Sequence, residues 1–272
     1  METGLDSVLR RDRFVVLAAL GMIVALAWGY VLYLAAQMDM GGMEMSGFRM
    51  AATATGMIMK PAFQPWTGGE FLFTFTMWVV MMIGMMMPSV APILLLYARV
   101  GRQAVSQGKP FASTGWFAAG YLLAWAIFSF IATAAQWGLD GAALLTPRMA
   151  SASNVLGGVV LIAAGIYQWT AFKDACLKQC ESPLQFIFRN GGFRSDNLGS
   201  LRLGLRHGLY CVGCCWALMA LLFVGGVMNI LWIALLSVLV LLEKGVNASR
   251  LISRLSGLVF LVAGLRLLRD LS

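Results

Sequence analysis

The sequence predicts an all-α protein, a polytopic bundle of transmembrane helices, and three observations carry that prediction. Of its 272 residues, 60% are hydrophobic and only 12% are charged, whereas a soluble domain of this size carries about 25% charge. The mean hydropathy is +0.80. The apolar residues also fall into runs approaching the roughly 20 that a helix needs to cross the hydrocarbon core, unlike the short alternating stretches of a barrel.

Seven crossings are expected, with six as the alternative. The first, Phe14–Ala36, follows Arg10, Arg11 and Arg13, and its 23 residues exceed the roughly 7–15 of a signal-peptide core, so it reads as a retained anchor. The second, Phe71–Tyr97, contains Pro88 and Pro92, which remove backbone hydrogen bonds and predict a kink in its inner half. The third runs from Gly115 to Trp137 and the fourth from Val155 to Phe172. Residues Leu209–Leu242 are too long for one straight crossing and suit a hairpin of two helices turning at Gly225-Gly226. The last, Ile252–Leu268, has Arg254 and Arg266 near its ends.

Cytoplasmic loops collect Lys and Arg, so the charges orient the helices. An inside N-terminus leaves fifteen of the twenty basic residues on the inner side, among them Arg99, Arg102, Lys109, Lys173, Lys178, Arg189, Arg194, Arg202, Arg206, Lys244, Arg250 and Arg254. Arg266 and Arg269 fit an outer C-terminus poorly. The net charge of +8 is accounted for by these loops and by anionic lipid, so nucleic acid is not implied as a partner. The bilayer and a metal ion are the expected partners, and the oligomeric state is left open.

Residues 1–272 read as a single membrane domain. Two long loops interrupt it: a Met-rich outer loop over 37–70 and a basic inner loop over 173–208. Thioethers are thus segregated outside and thiols inside.

The outer loop places Met38, Met40, Met43 and Met45 at close spacing, with Met50, Met57 and Met59 beyond. Thioethers are neutral and soft, favour Cu(I), and survive where thiols pair. The plainer reading is a loop of adaptable hydrophobes. In the second helix Met77, Met81 and Met85 recur every four residues and share a face, a stripe fit either for packing or for passing a soft ion along.

Cys176 and Cys180 stand four residues apart before Pro183, and Cys211, Cys214 and Cys215 form a C-x-x-C-C at the start of the fifth helix. All five fall near the inner face, where a reducing cytoplasm disfavours disulfides. Together with His207, one turn before Cys211, they supply enough soft donors for Cu(I), Zn or Hg(II). A lone buried Cys is usually a small hydrophobe; five clustered beside the chain's single His favour ligation. Glu243 and Lys244 close the sixth helix and read as interface markers.

No phosphate-binding loop or phosphorylated-Asp motif is present, so nothing points to ATP hydrolysis. His207 beside Cys211 resembles ligation more than a nucleophilic dyad, and no enzymatic activity is expected.

Three blocks carry a family resemblance: "MMIGMMMPSVAP" at 81–92, "GIYQWTAFKDACLKQCESPLQF" at 165–186 and "GLRHGLYCVGCCWALMALLFVGGVMNILW" at 204–232, continuing to Glu243-Lys244. They resemble the domain-of-unknown-function 2182 family of predicted metal-binding bacterial integral membrane proteins, over a core of 71–244. The resemblance implies a multi-pass protein of the bacterial inner membrane with a copper-related role. Residues and resemblance together predict a soft-metal-handling protein that moves or delivers Cu(I) between the outer methionines and the inner cysteines. The alternatives are a mercury or other soft-metal transporter, and a thiol-based redox or copper-assembly factor that meets a copper chaperone or a membrane oxidase.

Overall fold

The computed structural model describes residues 2–39, 50–53, 56–59, 66–146, 149–246 and 248–269. Among them the elements are helices joined by short connections, apart from a short antiparallel hairpin of β1, Met50–Thr53, and β2, Gly56–Met59, inside the expected outer loop. The helices are α1 Glu2–Asp39, α2 Gly68–Ser106, α3 Thr114–Gly141, α4 Asn154–Tyr167, α5 Ala171–Glu181, α6 Pro183–Arg189, α7 Asn197–Ala220, α8 Leu222–Gly225, α9 Ile230–Gly245 and α10 Ser249–Arg269.

Among the described residues five helices are long and apolar enough to cross a membrane, and α4 with α5, bent by 65°, forms a sixth span if the pair is counted as one. The expected seven therefore falls to five or six on length. The hairpin at Gly225-Gly226 is present, with Gly226 at φ 96, but its return helix α9 has only 16 residues, about 24 Å at 1.5 Å per residue. That is short of the roughly 30 Å hydrocarbon core.

Local chemistry explains the helix ends. Thr67 and Glu70 form a reciprocal capping box at the start of α2. Asp196 caps α7, accepting from the Gly199 amide at 2.6 Å, so this helix starts twelve residues before the expected Leu209. The prolines of α2 do not break it. Pro88 cannot bond the Gly84 carbonyl, and the Trp28 indole of α1 donates to that carbonyl at 3.3 Å instead. Gly84 also lacks the Cβ that would press on Ala27 and Trp28.

Glycines set the helix seams. A Cβ at Gly204 of α7 would run into the Phe117 carbonyl of α3, and one at Gly120 would meet the Leu201 carbonyl. These two helices run parallel and consequently pack backbone to backbone, as small residues permit in membranes. The α10 and α4 seam uses Gly158, Gly165, Gly257 and Gly264 in the same way. The amide of Ala112 donates to the Arg194 carbonyl at 3.2 Å, joining the α2–α3 and α6–α7 connections at one end, termed here the basic end. Val16 of α1 lines a cleft with Ala98 and Gly101, so the start of α1 lies at that end too.

The expected basic inner loop over 173–208 is largely helix, made of α5, α6 and the first turns of α7. Lys173 is fully buried rather than solvated, because its ammonium pairs with the Glu243 carboxylate at 2.7 Å. Glu243 correspondingly does not mark the interface: it is 1% exposed and lies inside the bundle.

Candidate metal centre

Helix α7 presents Cys211, Cys214 and Cys215 at i, i+3 and i+4, so the three thiols share one face, and all are buried. The 65° bend after Tyr167 turns α5 back across that face. Two contacts fix the crossing. The Tyr167 hydroxyl donates to the Gly213 carbonyl, within the C-x-x-C-C stretch itself. Gly213, having no side chain, leaves room for Cys176, whose sulfur lies 2.9 Å from where a Cβ would stand.

Cys180 thereby reaches α7. Its sulfur is 4.0 Å from that of Cys214, and Cys214 is 3.3 Å from Cys215. Cys214 also donates to the Cys211 carbonyl at 3.1 Å. All five cysteines are free thiols. Cys176 is buried beside Gly213 rather than within the chain of sulfur contacts.

Cys211 has different company. The Lys244 ammonium reaches its sulfur at 2.8 Å and the Ser89 hydroxyl at 3.3 Å. The Tyr121 hydroxyl lies 3.1 Å from the same sulfur and donates to the Met86 carbonyl at 3.2 Å. Lys244 therefore does more than end α9: it brings a positive charge to the thiols in a low-dielectric interior, where an unpaired charge is costly. Next to it, Glu243 accepts from Gln168 at 2.9 Å as well as from Lys173, and Gln168 donates onward to Ser256 at 2.9 Å. This network ties the α4–α5 bend to α9 and α10.

His207 is buried one turn before Cys211. Its ring packs among Phe186, Phe117 and Tyr121, with centroids 4.8, 6.0 and 6.0 Å away. Its Nδ1 has no hydrogen-bond partner among the described residues. Met77, Met81 and Met85 are buried in the same core cluster as the α7 cysteines, together with Met82, Met86 and Met87. Met149, which the sequence spacing did not single out, accepts from the Gln136 amide at 3.2 Å, and Gln136 in turn accepts from Trp78 at 2.7 Å. Met38 lies in the last turn of α1, and Met40, Met43 and Met45 lie outside the described residues.

Among the described residues, no group of three or more His, Cys, Asp and Glu side chains stands ready to hold an ion. The thiols meet instead as neighbouring pairs, and buried sulfur of this kind suits a soft ion of low coordination number. Fold and site together define a multi-helix membrane protein with an enclosed thiol centre. The chain belongs to the copper chaperone family PpoB2, whose model matches residues 75–267. No curated protein and no solved structure matches it.

Lys244, Tyr121 and Glu243 are the residues that sequence spacing missed. The available signal was Glu243-Lys244 itself, two charges ending a long apolar run, since ionisable groups at membrane depth mark functional sites.

Proposed function

We propose that this protein handles Cu(I) at the α5–α7 thiol centre and delivers it to a partner, as a membrane-embedded copper chaperone rather than an enzyme. One observation carries the reading: Cys180 and Cys214, 34 residues apart in sequence and on different helices, hold their sulfurs 4.0 Å apart inside the protein. Two soft ligands of one ion stand at about that separation when each metal–sulfur bond is about 2.3 Å, the length known for zinc thiolates. Family membership supplies copper as the cargo. The blocks resembling the domain-of-unknown-function 2182 family at 81–92, 165–186, 204–232 and 243–244 all fall within residues 75–267, so we take the two descriptions to concern one family.

In this reading Cys180, Cys214 and Cys215 receive the ion, Cys211 exchanges with them, and Cys176 and His207 stand in reserve. Met38, Met40, Met43 and Met45 capture Cu(I) on the outer side, and the buried face of Met77, Met81 and Met85 relays it. Thiolate holds Cu(I) more tightly than thioether, so this order favours inward movement. The 1–272 chain acts as one membrane domain of the bacterial inner membrane. Basic residues at the end shared by α1 and the α2–α3 connection put that end, and the N-terminus, in the cytoplasm.

The test is Cu(I) binding by the purified protein, read by competition with a chromophoric chelator. The Cys211→Ser, Cys214→Ser, Cys215→Ser triple variant should lose most of the bound copper, and sulfur-only coordination should appear in X-ray absorption of the wild type. Unchanged stoichiometry in the triple variant would overturn the proposal. Parallel titrations with Hg(II) and Zn(II) separate copper handling from the broader soft-metal reading.

A further inference from the structure

The start of α7 carries a second feature, remote in chemistry from the thiols. Arg202 and Arg206 are exposed and four residues apart, and Arg194 joins them from the connection after α6. They line a cleft of about 450 Å³ together with Asn190, Asp196 and Leu209. Three guanidinium groups thus face one carboxylate, and that carboxylate is engaged in capping the Gly199 amide at 2.6 Å.

The arginines are arranged rather than merely present. The Asn190 carbonyl accepts from Arg194 at 2.7 Å, and the Asn190 side-chain oxygen accepts from Arg206 at 3.1 Å. One residue therefore orients two guanidinium groups while leaving their other N–H donors uncommitted. Arg202 makes no hydrogen bond or ion pair with another described residue. Such donors match the oxygens of a phosphate.

The cleft also opens onto apolar surface. Leu209 is 51% exposed on the face of α7 that carries Arg202 and Arg206, and it is followed by Trp216 and by Phe172 of α5, both exposed. Phe172 and Trp216 each stack edge-on against Tyr167, which makes this a continuous aromatic wall. A free anion would use the arginines and leave the wall bare. A phospholipid uses both.

We infer that this cleft binds the phosphate headgroup of an anionic phospholipid, with its acyl chains laid along Leu209, Phe172 and Trp216. Clustered basic side chains at a helix end next to lipid-facing surface are the usual recognition chemistry for such lipids. The inference does not depend on copper handling.

The probe is phosphatidylglycerol mixed in equal amount with phosphatidylcholine of matched chains, added to full-length protein in neutral detergent, with retained lipid read by native mass spectrometry. The wild type should retain phosphatidylglycerol by about fivefold or more over phosphatidylcholine. Arg194→Gln, Arg202→Gln, Arg206→Gln together should bring the ratio near parity, whereas Arg250→Gln with Arg254→Gln, which removes exposed arginines elsewhere, should preserve it. Arg202→Gln alone tests the same point without touching the Asn190 contacts, and it should lower the ratio severalfold. Equal retention by the wild type, a preference that survives the triple change, an equal loss in the Arg250 and Arg254 variant, or displacement of the lipid by excess inorganic phosphate would each overturn the inference.

Discussion

Lys244 and Glu243 are neighbours in sequence and face opposite duties: the Lys244 ammonium lies 2.8 Å from the Cys211 sulfur, and the Glu243 carboxylate lies 2.7 Å from the Lys173 ammonium. The end of α9 thereby joins the thiol centre to the network that holds the α4–α5 bend.

Charge balance gives Lys244 a role in holding metal. Cu(I) between two thiolates carries a net negative charge, and an adjacent ammonium cancels it in an interior where uncompensated charge is expensive. Hydrogen bonds to charged groups contribute about 1.5–3 kcal/mol. Lys244→Leu should accordingly weaken Cu(I) binding about tenfold or more, while Lys244→Arg retains most of the affinity. Chelator competition measures both, and equal affinity of wild type and the Leu variant would show that the ammonium is not part of the site.

The two cysteines of α5 should behave differently despite their four-residue spacing. Cys180 meets Cys214 at 4.0 Å, whereas Cys176 packs beside Gly213. Cys180→Ser is expected to cost about tenfold or more in Cu(I) affinity, and Cys176→Ser no more than about threefold. A larger loss at Cys176 would move the site to the other turn of α5.

Much of this arrangement was legible in the sequence. Apolar runs marked the crossings, and the i, i+3, i+4 spacing put three thiols on one face of α7. The approach of α5 was not legible, because a helix bent by 65° at 168–170 has the same residue order as a helix that leaves the membrane. The inner loop over 173–208 went astray for a related reason: counting Lys173 as a solvated charge ignores Glu243, 70 residues away, which makes its burial tolerable. Lys244 was hidden likewise, since its partner Cys211 is 33 residues distant. Composition records charges, and only tertiary contact pairs them.

The Lys173–Glu243 pair should act mainly on stability. Removing one member of a buried ion pair leaves an uncompensated charge and costs about 3–5 kcal/mol. Lys173→Met and Glu243→Gln should therefore each lower the thermal midpoint in detergent, and the double variant should lose less than the sum. Strict additivity in that double-mutant cycle would mean the two groups do not interact in the folded protein.

Gly213 offers a test of the crossing itself. A Cβ at this position would come 2.9 Å from the Cys176 sulfur and 3.7 Å from its Cβ, so only the sulfur clashes. Gly213→Ala should push α5 outward, part Cys180 from Cys214 and weaken Cu(I) binding, with an overpacking cost of about 1–3 kcal/mol in stability. Cys176→Ala removes the atom in the way, leaving a contact of ordinary van der Waals length. The Gly213→Ala, Cys176→Ala double variant should regain both affinity and thermal midpoint relative to Gly213→Ala alone. Rescue of this kind requires Cys176 to be a packing neighbour; if the double variant binds more weakly than Gly213→Ala, Cys176 ligates the ion and the crossing at Gly213 does not set the site.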